Sequence, residues 1–481
     1  MIRTRRAAAA FRSGHMASRR GKLVVAGHGA AGLAAALSAA EEAKRRGVAI
    51  DITILEKARE EEAGGNTRFS PSYVRMAAPD RVAPGFEADM RAACGGEGDA
   101  DYFRTLAERG APTMAWLQER GVEFSIPRYY LSVGPPRIQP VGGGGAIIER
   151  LVQAAKQADV AIRYASAATR LISSQGRISG IEFRSEGGAT EIIDADAIVL
   201  ATGGFQGDAA MMQAQFGPLA RTLKLISPGT RFDTGDGIRM ARQRGARISG
   251  DWDGMHIEPV DPRSAHPAPV VLVYPYGIVV DQAGRRFFDE GGGLVHETWE
   301  GFARDIHFSR PNSIAYAILD SRLFEIADYK RAIRSDVPPY QSDTIEGLAA
   351  QIGISSDALR QTIETFNAAA NGDALQFDAT RCDGLAAAPS LVPPKSNWAR
   401  PLNKPPFLAY PLVGAIAYTF GGLSTNTKAE VLSEAGPIPG LYAAGEMTGN
   451  FYRSAPNAVS MLRAIVFGRI AGQQAVEFLR A

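Results

Sequence analysis

An apolar run that opens at Lys22 stops at glycines 27, 29 and 32 and passes into an alanine-rich stretch. A short continuous apolar run reads as a buried strand and the alanine-rich stretch as a helix, so the first unit predicted is strand, tight turn, helix N-terminus. A second apolar run, 50–55, ends at Glu56, and a polar glycine turn follows at 64–70. Residues 99–121 read as two helices with apolar positions at Phe103, Leu106, Met114 and Leu117, and the glycines at 142–145 open another helix. From 162 to 183 the pattern changes to short strands around a turn at 173–176. A buried strand at 195–200 then runs into Ala201-Thr202-Gly203-Gly204, and a third strand-to-glycine step at 440–446 precedes a helix from about 457 to 479.

Three such steps, at the start, middle and end of the chain, imply that distant segments converge on one doubly wound sheet around one ligand. Between them, 255–417 is richer in proline, aromatics and charge and lacks a strand-glycine-helix unit, which predicts an inserted second domain. The expected division is a basic leader at 1–21, a first part of the ligand-binding domain at 22–254, the insertion at 255–417 and a second part at 418–481. A length of 481 residues agrees with two cores rather than one. The leader, with six arginines, reads as disordered or mis-started, and a twin-arginine export signal is the alternative.

Charge is nearly balanced, 53 basic against 51 acidic side chains, so no nucleic-acid partner is expected. The two cysteines, Cys94 and Cys382, cannot build a zinc cluster, an iron–sulfur centre or a CxxCH haem site, and no metal is expected. No apolar run reaches membrane-spanning length, and a cytoplasmic location is expected. Electrons, if this chain moves them, travel on an organic cofactor.

The glycine turn supplies the reason. Gly27 lets the chain turn, Gly29 lets backbone approach a pyrophosphate, Gly32 lets helix and strand pack, and Glu56 is placed to hold an adenosine ribose. The helix N-terminus offers free N–H groups to the phosphates.

Together with the turn at Gly65-Asn66-Thr67, Asp233-Thr234-Gly235-Asp236-Gly237, Gly421-Gly422, Ala444-Gly445-Glu446 and Val466-Phe467-Gly468-Arg469, these motifs resemble the flavoprotein subunit family of fumarate reductase and succinate dehydrogenase. The stretch 284–291, Thr419-Phe420-Gly421-Gly422-Leu423 and the pair Phe451-Tyr452 look most like tricarballylate dehydrogenase within it. The resemblance implies an α/β fold, a Rossmann-like doubly wound FAD-binding domain with an inserted α+β capping domain, and chemistry between carbon–carbon single and double bonds. It implies that Gly27, Gly29, Ala31, Gly32, Glu56 and Lys57 hold the ADP half of FAD. Asn66, Thr67, Ala168, Ala201, Thr202, Gly203, Asp236, Gly445 and Glu446 would line the rest, with Ser460 and Met461 near the isoalloxazine. The 64–70 turn contains no histidine, so FAD is expected to bind without a covalent link.

The substrate motif departs from that family. His256 matches one carboxylate-binding histidine, Tyr418 replaces the other, Arg453 falls near the binding arginine, and Leu294 stands where a proton-delivering arginine is expected. Tyr418 and His296 are then the candidates for moving the proton. His296 is expected in a loop. Arg463, a turn into the last helix, is either a second anion anchor or an ion-pair partner. The implied activity is a dehydrogenase or reductase acting on a small, carboxylated substrate such as a tricarballylate-like acid, with hydride passing between carbon and flavin N5. The alternatives are a ketosteroid-type enzyme with a neutral substrate and a flavin-binding sensor without turnover. A separate redox protein, quinone or oxygen would exchange electrons with the flavin.

Overall fold

The computed structural model describes residues 20–370 and 376–480. All but the end of the leader falls outside the described residues.

A six-stranded sheet carries the first glycine turn. Its order is Glu430–Ser433, Gly436–Ala443, Ala197–Leu200, Gly21–Ala26, Ile50–Leu55 and Ala161–Arg163, and every pairing is parallel except the first. The central strands are apolar on both faces because both are covered. On one face lie the helices Ala30–Arg46 and Ser460–Arg480, and on the other an antiparallel sheet of Ala167–Ser174, Arg177–Arg184 and Thr190–Asp194. The two helices approach closely: a Cβ on Gly472 would stand 2.0 Å from the Ala35 carbonyl oxygen.

Residues 99–121 form one helix, Ala100–Gln118, rather than two, with Pro112 inside it. Phe103, Leu106, Gly110, Met114 and Leu117 keep a single buried stripe through the proline, and packing that stripe overrides the missing N–H. The last helix starts at Ser460, so Asn457 and Ala458 belong to the loop before it.

A second sheet is built around the long strand Phe407–Thr419. Met255–Val260, Ala315–Leu319 and Tyr340–Ser342 pair with it antiparallel, and Lys224–Leu225 parallel. The helix Val295–Ser309 covers one side of this sheet; Ile345–Ile352 and Ser356–Ala369 pack on the other. The register places His256 directly opposite Tyr418, with a bulge between His256 and Ile257. A bulge of this kind re-aims side chains at a strand end. Among the described residues no helix is long and apolar enough to cross a membrane.

Candidate active site

A cavity of about 580 Å³ begins at the first glycine turn and ends under the second sheet. Gly27, Gly29, Ala31, Glu56, Lys57, Asn66, Thr67, Ala168, Ala201, Thr202, Gly203, Asp236, Gly445, Glu446, Ser460 and Met461 all line it. Gly32 does not: its missing side chain is a packing requirement, since a Cβ there would lie 2.0 Å from the Gly27 carbonyl oxygen.

Whether these residues fit a dinucleotide is decided at Gly29. A Cβ on Gly29 would meet nothing closer than Thr67 Oγ1 at 3.9 Å, so no protein atom demands glycine at this position. The space left open faces the uncapped N-terminus of the Ala30–Arg46 helix, where a pyrophosphate finds free N–H groups. Glu56 is buried and accepts hydrogen bonds from the N–H groups of His28 (2.9 Å) and Ala58 (2.7 Å). Its remaining lone pairs suit ribose hydroxyls. Lys57 Nζ is held by Asp236 Oδ2 at 2.8 Å. Asn66 ties the turn to the second sheet by donating to the Ala417 carbonyl oxygen at 2.8 Å.

Farther in, Glu446 accepts the Thr419 N–H at 3.2 Å, and burial pushes its carboxyl up to about 7. Asp233, also buried, is raised by burial and by Glu446, and accepts from Gln206 Nε2 at 2.9 Å. The residues therefore fit the expected cofactor.

At the far end, Tyr418 and His256 stack with ring centroids 4.8 Å apart. His256 Nδ1 lies 2.8 Å from Glu300 and Nε2 3.1 Å from Glu258. Burial opposes a charge on this ring, but the Glu258 and Glu300 carboxylates on its two nitrogens outweigh it and hold the pKa well above the ordinary value. His256 is thus an imidazolium with both N–H groups already donated. It lies in the site, but it is not the free carboxylate ligand expected of it. The Tyr418 hydroxyl is pushed up by burial, against the pull of His256 and Ser460, and keeps its proton at neutral pH.

His296 sits on the first turn of the Val295–Ser309 helix, not in a loop, because Glu297 accepts the Leu294 N–H at 2.8 Å and closes a helix start. It lines the cavity, its Nδ1 has no partner among the described residues, and burial lowers its pKa, so it is neutral.

Arg453 is not brought to the site. Its side chain is 69% exposed and stands 3.5 Å from Glu97, outside the cavity lining. The preceding loop turns it outward at φ 60°. Arg463 does line the cavity, buried over the Phe451 ring at 4.0 Å, donating to the Thr448 carbonyl oxygen at 3.2 Å and making no ion pair among the described residues.

Among the cavity residues that escaped the sequence reading are Arg137, Tyr130, Trp299 and Glu300. The last two carried a signal. Once His296 is placed on a helix, positions 299 and 300 share its face. Tyr130 and Arg137 come from an irregular stretch with no period to read.

A family model described as an FAD binding domain matches residues 22–458. An NADH:acrylate oxidoreductase of Vibrio harveyi is 29% identical over 410 residues, 79% of this chain and 37% of that protein. A 4-oxocyclohexanecarboxylate 2-dehydrogenase of Sinomonas cyclohexanicum is 30% identical over 362 residues, 69% of this chain and 61% of that protein. The chain thus spans less than two thirds of either relative's length. Among solved structures, the open conformation of a flavocytochrome c3 fumarate reductase superposes with a TM-score of 0.76 at 26% identity, covering 96% of this chain and 79% of that one.

Proposed function

Because the chain belongs to the FAD binding domain family, we propose that it is an FAD-dependent oxidoreductase that interconverts a carbon–carbon single and double bond on a small carboxylated substrate. FAD, when bound, supplies the acceptor or donor of hydride. Gly29, the helix N-terminus behind it and Glu56 hold the adenosine end, and Ser460 and Met461 stand at the reacting end.

The observation that carries the reading is Tyr418, a half-buried residue that lines the cofactor cavity beside His256 and keeps its phenolic proton at neutral pH. Tyr418 passes a proton to one carbon of the double bond in the reductive direction and takes it back in the oxidative one. The His256 cation stacked on its ring favours the phenolate that forms, and Glu258 and Glu300 fix that imidazolium in place. Trp299 and Tyr130 line the chamber with apolar faces. A single carboxylate suits these walls better than a tricarballylate-like acid, whose three charges would face Glu258 and Glu300. The position of Arg453 outside the cavity favours a second reading, a neutral, ketosteroid-like substrate.

The test is anaerobic reoxidation of the chemically reduced enzyme by a panel of α,β-unsaturated acids and cyclic enones, followed by the return of flavin absorbance. Tyr418→Phe should slow that reoxidation by about 10²- to 10⁴-fold with flavin content unchanged. Undiminished rates in Tyr418→Phe would remove Tyr418 from the proton path.

A further inference from the structure

Arg137 is 4% exposed and stands in a cage of three tyrosines, with its guanidinium carbon 3.7 Å from the Tyr73 ring centroid, 3.9 Å from Tyr129 and 4.7 Å from Tyr130. Its Nε has no hydrogen-bond partner, and it makes no ion pair among the described residues. Ring faces attract a cation and hold its plane, but they bring no formal negative charge. A buried charge without a counter-ion is costly, and it keeps its place where something else completes it. Arg137 borders the cavity, so a ligand there can do so.

The path from Arg137 to the proton donor is walled by rings. Tyr130 meets Trp299 edge-on at 5.7 Å, Trp299 meets His256 at 6.0 Å, and His256 stacks on Tyr418. Flat apolar walls of this kind accept a planar or cyclic carbon skeleton. Arg463, the other buried arginine of the cavity, sits on the last helix beside the residues that face the cofactor and is already tied to Thr448, so it is the weaker candidate for substrate.

We propose that Arg137 is the substrate anchor: it pairs with the carboxylate of a cyclic, singly charged acid and directs the carbon skeleton along Tyr130 and Trp299 toward Tyr418. This rests on the reading of the cavity as a carbon–carbon redox site. The planar guanidinium fork, already oriented by the tyrosines, suits a bidentate carboxylate.

The experiment is calorimetric titration of the FAD-loaded enzyme with benzoate and with benzamide, probes of equal shape that differ in charge. Benzoate should bind at least about 10-fold more tightly than benzamide to the parent. Arg137→Met should weaken benzoate by about 30-fold or more and leave benzamide unchanged, and Arg137→Lys should recover only part of the loss. Benzamide binding as well as benzoate, no benzoate binding at all, or an Arg137→Met enzyme that holds benzoate within threefold of the parent would each overturn the anchor. Should Arg137→Met fail to fold or retain FAD, the probe pair on the parent and on Arg137→Lys still decides. The readout is binding alone, so an enzyme that binds benzoate through Arg137 yet is reoxidised by no unsaturated compound refutes the redox reading and leaves the anchor standing. Turnover without dependence on Arg137 does the reverse.

Discussion

His28 lies inside the first glycine turn with 2% of its surface exposed and no partner for Nδ1 among the described residues. Burial, with Arg68 and Lys156 nearby, pulls its pKa from 6.5 down to about 4. As pH falls the unfolded chain takes up this proton before the folded one, so stability rises with pH between about 4 and 6.5 and is complete above that window. A shift of this size corresponds to on the order of 3 kcal/mol. Glu446, raised to about 7, contributes the opposite slope, so the His28 contribution is read as a difference in thermal unfolding of the FAD-loaded enzymes. On acidification the parent should lose about 3 kcal/mol more stability than His28→Asn, and equal pH slopes in the two proteins would refute the assignment. Residue by residue, what the sequence made legible was what backbone geometry demands. Gly32 is required by a contact within the turn, with the Gly27 carbonyl oxygen, where spacing alone tells the story; Gly27 is required by its own φ of 109° and by the Ala201 carbonyl oxygen of a distant strand, which a Cβ would meet at 2.2 Å. Arg453 and Arg137 show the opposite case. Both are arginines in irregular segments, and which of them borders the cavity depends on loop dihedrals and, for Arg137, on stacking with Tyr73 from a distant segment as well as Tyr129 and Tyr130 nearby, information that no local pattern holds.

Among the elements, the Ala30–Arg46 and Ser460–Arg480 helices pack directly on each other, and Gly468 and Gly472 are where they come closest. Gly472→Ala would press a methyl group against Ala35 and should cost about 1–3 kcal/mol. The expected result is a lower melting temperature together with faster loss of FAD, because the same helices present their N-termini to the cavity; an unchanged melting temperature would mean that the helices slide apart freely. The strand pairing of Met255–Val260 with Phe407–Thr419 acts similarly on the chemistry. It sets His256 across from Tyr418, although the two lie far apart in sequence. Elements with strong apolar runs were legible beforehand. The proline in Ala100–Gln118 and the short helix start at Val295 were not, since in both a tertiary or capping contact outweighs the local signal.

At the scale of the molecule, the cofactor cavity draws on the start, middle and end of the chain, as the three strand-to-glycine steps implied, and the second sheet closes its far end. Nothing in Gly65–Phe69 or the residues flanking it offers a histidine for flavin attachment. Acid precipitation should therefore leave all the yellow colour in the supernatant, and a coloured pellet would refute non-covalent binding. The convergence also bears on how the protein comes into being. The alanine face of Ala30–Arg46 is covered by a helix that leaves the ribosome roughly 400 residues later, about 20–80 s at ordinary translation rates. Throughout that interval the glycine turn has neither its partner helix nor the last wall of its cavity. The cavity that captures the flavin is therefore complete only once the Ser460–Arg480 helix has emerged, and until then the alanine face of Ala30–Arg46 lacks its cover.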